Sequence, residues 1–95
     1  MKLRDGKVDE AIEALKEAIA RDAKEPSLHV ELATLYVQKC LLNEAIEECH
    51  SALLDDPNHV PAHLLLGGLY SILKKYPLAI DSYKKVLQID PQHRE

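Results

Sequence analysis

From Pro26 to about Lys39 the apolar side chains fall at Leu28, Leu32, Leu35 and Tyr36, the spacing of one face of an α-helix. Pro26 suits the first turn of that helix, where its missing N–H costs little. Asn43 is the expected N-cap of a second helix running to Leu54, with Glu44, Glu47 and Glu48 toward its amino end, where the helix dipole favours acids. Asp55-Asp56-Pro57-Asn58 carries the turn chemistry that stops it. The plan then recurs: a helix from about Val60 to Leu73, a turn at Lys74-Lys75-Tyr76, and a helix from Pro77 to about Ile89. Ahead of Pro26, the stretch from about Val8 to Asp22 reads as a further helix, entered through the turn residues Asp5-Gly6. The pattern predicts five helices and an all-α chain.

Laying the chain on itself exposes a period. Asp56-Pro57 and Asp90-Pro91 are 34 residues apart, and the same step joins His29 to His63, Leu32 to Leu66 and Tyr36 to Tyr70. Ala11-Ile12, Ala45-Ile46 and Ala79-Ile80 form a series at that interval, and Ala52 steps back to Ala18. Self-similarity at this length is the mark of a helical-hairpin array.

These residues resemble the tetratricopeptide repeat, whose pattern is W-x2-L-G-x2-Y, then A-x3-F, then A and P. The stretch from Val60 to His93 carries Leu66-Gly67, Tyr70, Ala79, Tyr83 and Pro91 in the family's places, with His63 at the usual aromatic and Val86 at the late alanine. The stretch from Pro26 to His59 carries His29, Leu32-Ala33, Tyr36, Ala45, Cys49, Ala52 and Pro57. The opening segment supplies a second half only, through Ala11, Leu15 and Ala18, with Ala23 where Pro would stand. The resemblance implies an alpha-alpha superhelix, a solenoid of antiparallel hairpins. Residues 1–25 would be the second half of a repeat, 26–59 and 60–93 full repeats, and 94–95 the start of another or a tail.

It also implies a concave side lined by the first helix of each hairpin. In the first hairpin the groove positions are Ser27, Val30, Thr34, Val37 and Gln38; in the second they are Pro61, Leu64, Gly68, Ser71 and Ile72. Family members that clamp a peptide's terminal carboxylate use basic and Asn side chains there, and this row has no Lys, Arg or Asn. The row is expected to hold a protein or peptide partner through apolar anchors at Val30, Leu64 and Ile72. The alternative is that it packs against another copy or another part of the same protein. Gly67 has a packing reason to be small; Gly68 has none from the pattern, and each costs about 1 kcal/mol relative to Ala inside a helix.

Composition removes several classes of function. The 95 residues bear a net charge of -4 with no dense Lys/Arg cluster, so nucleic acid is not an expected partner. The longest apolar run, around Leu64-Leu65-Leu66-Gly67-Gly68-Leu69, falls far short of the roughly 20 residues that span a bilayer. The first residues lack the apolar stretch of a signal peptide, so a cytoplasmic setting is the default. Cys40 and Cys49 are too few for a disulfide framework and wrongly spaced for a zinc knuckle.

Other candidate chemistry has a structural reading beside it. His59 and His63 stand four apart at a helix start, a spacing able to share a metal, but Val60-Pro61-Ala62 supplies no Glu for a hydrolase motif, and His63 sits at the family's packing position. Cys49-His50 pairs a nucleophile with a base in sequence only, since neighbours on a helix diverge; Cys49 is expected inside and Cys40 outside. Asp9, Glu10, Glu13 and Glu17 are expected to form a solvated face alongside Lys16. No enzyme, cofactor or metal is expected. The reading is an interaction scaffold. The alternatives are a purely structural or oligomerisation segment of a longer repeat protein, or a regulatory domain of a larger enzyme, with self-association through the uncapped end helices open in each case.

Overall fold

The computed structural model describes residues 2–21 and 24–90, with side chains from Gly6 onward. Five helices follow in order: α1 Lys2–Arg21, α2 Pro26–Gln38, α3 Leu42–Asp55, α4 Val60–Ile72 and α5 Tyr76–Ile89. There is no strand among the described residues. The expected positions Ala23, Pro91 and Arg94-Glu95 lie outside them. Each helix packs on its successor. In addition α2 touches α4 directly, whereas α1, α3 and α5 make no contact with one another among the described residues. Helices that close up on one side and splay on the other define a curved stack, with α2 and α4 as its inner layer. The Cα radius of gyration is 13.7 Å, above the ~12 Å of a rounded domain of this length. The chain is an alpha-alpha superhelix.

Asp55 and Tyr76, expected in turns, are helix ends, and two further boundaries differ from the sequence expectation. Asn43 is not a cap: α3 begins at Leu42 with Leu41 as its N-cap residue, and no side chain bonds the end. Leu42 packs against the central cluster, so starting the helix early buries an apolar side chain, a larger gain than one capping bond. Asp5-Gly6 is not a turn either, for α1 runs through it from Lys2. The counterparts of Gly6 one and two periods on are Cys40 and Lys74, and both hold φ at 62°. There the chain must leave one helix and enter its antiparallel mate. Cys40 N–H bonds Val37 O and Leu41 N–H bonds Tyr36 O; Lys74 and Lys75 do the same to Ser71 O and Tyr70 O. This is the paired bonding of a left-handed helix stop. A side-chain-bearing residue in it costs about 1 kcal/mol or more. Gly6 is helical within α1, since glycine's modest penalty does not break a helix alone.

The core is thin and rich in small residues. Ala33, Ala45, Cys49, Leu66 and Leu69 form the central cluster, flanked by Tyr36, Val37, Leu42, Ile46 and Leu53. A second cluster, Val8, Ile12 and Leu32, ties α1 to α2. Lys39 at the end of α2 pairs with Asp9 of α1, so that acid serves the helix junction. Burial pushes the Cys49 thiol up to about 12, with the neighbouring Glu48 carboxylate adding to the effect. Cys40 is exposed. In the native protein at pH 8, a disulfide reagent should therefore modify Cys40 rapidly and Cys49 only after unfolding. Mass measurement of the labelled protein reads the outcome; equal rates would contradict the packing described.

Gly67 and Gly68 separate cleanly. A Cβ on Gly67 would stand 2.6 Å from the Tyr83 ring, whereas one on Gly68 would meet nothing within 4 Å. One period earlier the pair Gly67/Tyr83 is Ala33/Cys49: the helix with the larger small residue faces the smaller partner. Gly68→Ala should raise stability by about 0.5–1 kcal/mol. Gly67→Ala should lower it by about 1 kcal/mol, and adding Tyr83→Cys should offset part of that loss. Thermal melts of the three variants test the pairing; equal gains from both alanines would refute it.

Candidate functional site

The ten groove positions all fall on the inner-layer helices. Ser27, Val30, Thr34, Val37 and Gln38 lie on α2, and Pro61, Leu64, Gly68, Ser71 and Ile72 lie on α4. None is fully buried. Ser27, Thr34, Gln38, Pro61 and Ile72 are exposed, while Val30, Leu64, Gly68 and Ser71 are half-buried. Val37 turns partly inward against the central cluster. Ile72 is 59% exposed, which leaves its side chain available on this face. The Thr34 hydroxyl donates back to Val30 O at 3.0 Å, leaving its methyl group as the outward chemistry. The row is uncharged and stepped, with a gap at Gly68.

The histidines have structural work elsewhere. His29 Nδ1 donates to Glu48 Oε1 at 2.8 Å, and its Nε2 lies 3.9 Å from Asp55; the ring fastens α2 to α3. His63, at the same place one period on, is 8% exposed and donates from Nε2 to Pro57 O at 2.9 Å. It thus secures the turn that delivers α4. His59 Nδ1 lies 3.8 Å from Asp56, and its Nε2 is buried without a protein partner. No group of three His, Cys, Asp or Glu side chains among the described residues is arranged to hold a metal. Cys49 and His50 diverge as expected: the thiol is in the core, and His50 Nε2 lies 3.3 Å from the Tyr70 hydroxyl. No described helix is long and apolar enough to cross a membrane.

A second concavity lies beside α1, the end helix that the sequence reads as uncapped. Between α1 and α2 lies an open groove of about 470 Å³, lined by Ala11, Ala14, Leu15, Glu31, Thr34 and Leu35. The signal was present in the 34-residue step, which carries those positions onto a well-packed part of the next hairpin. Sequence reasoning missed the His29–Glu48 bond, because the counterparts of Glu48 are Ala14 and Ser82, neither of them an acid.

Comparison with known proteins agrees with this geometry. Family models described as tetratricopeptide repeat match residues 2–69 and 60–93. Hsp70-Hsp90 organizing protein 2 of Arabidopsis thaliana is 25% identical over 92 residues, covering 97% of this chain and 16% of that protein. The human mitochondrial import receptor subunit TOM34 is 33% identical over 81 residues, 84% of this chain and 26% of its own length. The chain thus spans about a sixth to a quarter of these relatives. Among solved structures, the first TPR of Spaghetti (RPAP3) bound to HSP90 peptide SRMEEVD superposes with a TM-score of 0.86 at 25% identity, over 96% of this chain and 72% of that one. The second TPR of the same protein, with the same peptide, gives 0.82 at 27% identity, over 93% and 82%. With its period, its hairpins and its inner layer all in the same register, the chain belongs to the tetratricopeptide repeat family.

Proposed function

We propose that the chain is a non-catalytic adaptor whose α2–α4 row grips an extended or helical segment of a partner protein. Val30, Leu64 and Ile72 serve as apolar anchors, and the cytoplasm is its working compartment. The observation that carries this reading is the inner row itself: ten positions, none charged, with Ile72 held out of the core. The similar RPAP3 domains, bound to an acidic HSP90 peptide, support a peptide as ligand. They do not fix its chemistry. A free carboxylate and its neighbouring acids need basic donors, since an ionised ligand stripped of water must be paired. Val30, Thr34, Leu64 and Gly68 offer none, so the ligand is apolar in this row and its terminus immaterial.

The probes are SRMEEVD, with free and amidated carboxyl ends, and a random peptide library with amidated ends. Library selection should enrich peptides with spaced apolar residues, and Leu64→Asp should weaken them at least about tenfold while the helical circular dichroism persists. SRMEEVD should bind poorly in both forms. Tight binding that disappears on amidation would overturn the assignment.

A second reading, self-association, is favoured by α5. Tyr76, Ile80, Tyr83 and Leu87 are between 41% and 55% exposed, whereas their counterparts Leu42, Ile46, Cys49 and Leu53 are packed in the central cluster. An apolar face of this kind associates when nothing covers it. Sedimentation should show concentration-dependent assembly that Leu87→Glu suppresses; a monomer at every concentration argues against this role for α5.

A further inference from the structure

Gly68 lies in the interior of the array, on α4 and beside its junction with α2. Its neighbours Leu65 and Leu69 pack into the central cluster with Ala33, Tyr36 and Val37 of α2, and the two inner helices touch. Gly68 itself is half-buried, yet a Cβ placed there would meet nothing within 4 Å. Both helices that border this gap are in place, so it is not the bare side of an end helix. Nor does the backbone require a glycine. No glycine has a positive φ, and the same place one period earlier holds Thr34. Glycine inside a helix lowers stability, and no packing contact offsets that loss here, in contrast to Gly67 against Tyr83. A local choice that weakens the fold without a structural return marks a place shaped for something else.

We infer that the notch over Gly68 is the specificity pocket of the inner row and takes one aromatic side chain of the bound segment. The inference rests on the reading of that row as the seat of a partner segment. Along α4 the walls are Leu64 one turn before and Ile72 one turn after, the first half-buried and the second exposed. They stand about 12 Å apart along the helix axis. Once their own bulk is subtracted, a slot remains that is deepest where Gly68 has no side chain. A ligand's main chain gains nothing by entering it. The N–H and C=O of a residue inside a helix are spent on the helix ladder, so they offer no partner to a peptide group. An apolar side chain suffers no such loss. Among apolar side chains, a flat ring fits between two walls, buries more area than an aliphatic chain and gives up few rotatable bonds.

The isolated side chain is the first probe. N-acetyl-phenylalaninamide, titrated into the isotopically labelled chain, should give saturable amide shifts centred on Leu64, Gly68 and Ile72, with a Kd of about 1 mM for a ligand of this size. N-acetyl-leucinamide should bind at least about threefold more weakly. Gly68→Leu fills the slot and should abolish the shifts while the helical circular dichroism persists. Gly68→Ala is the sharper variant, since its methyl group touches no other side chain. It should raise the melting temperature and still weaken the fragment about threefold. Amidated library peptides selected on the inner row should carry an aromatic residue whose change to Ala weakens binding at least about tenfold. Absence of saturable shifts at Gly68, equal affinity for the two amides, or fragment binding that survives both Gly68 variants overturns the pocket. Selected peptides that need Leu64 but tolerate Gly68→Leu overturn it too, and leave the row standing as a peptide seat. A fragment held at Gly68 with no peptide selected would put the failure in the peptide reading and not in the pocket.

Discussion

The closest approach between helices in this chain is made by its smallest side chains. Ala33, Ala45, Ala52 and Ala62 are all 0% exposed, more deeply buried than most of the leucines. Small residues at these places bring two helix backbones together, and a pair so close has no interior of its own. Leu32, Leu66 and Leu69 consequently fill the spaces between neighbouring helices, each worth about 1.5–3 kcal/mol when fully removed from water. A hairpin is thus stable only against the next one. Periodicity follows from that dependence: each successive pair must offer the same seat at the same interval. Phe and Trp are absent from the chain, as befits layers too thin to take them.

The same dependence sorts the polar chemistry. Histidines at the family's aromatic place do not merely fill volume. His29 and His63 each spend a ring proton on an oxygen across a junction, Glu48 in one case and Pro57 in the other. Rings that are largely enclosed and must be satisfied become fasteners between elements. The inner layer is left with hydroxyls, methyl groups and a gap at Gly68.

Much of this architecture was legible in the residues, because a period repeats its evidence. The hairpins followed from stepping 34 residues along the chain, and the inward Cys49 and the small Gly67 from the resemblance to the repeat family. The failures share a cause. Asn43 has the chemistry of a cap, yet its role was decided by Leu42, whose burial is a tertiary matter. Gly6 has the chemistry of a turn, yet turning at Cys40 and Lys74 is imposed by an antiparallel mate and not by the residue itself. The ten positions of the inner row came from the resemblance, and they lie on α2 and α4.

Burial along the stack shows how far each interface reaches. The isoleucine that is 6% exposed in α1 is half-buried in α3 and 54% exposed in α5, so the same residue type at the same register is worth different amounts depending on what lies beside it. In a stack whose elements contact only near neighbours, stability is close to a sum of such interfaces.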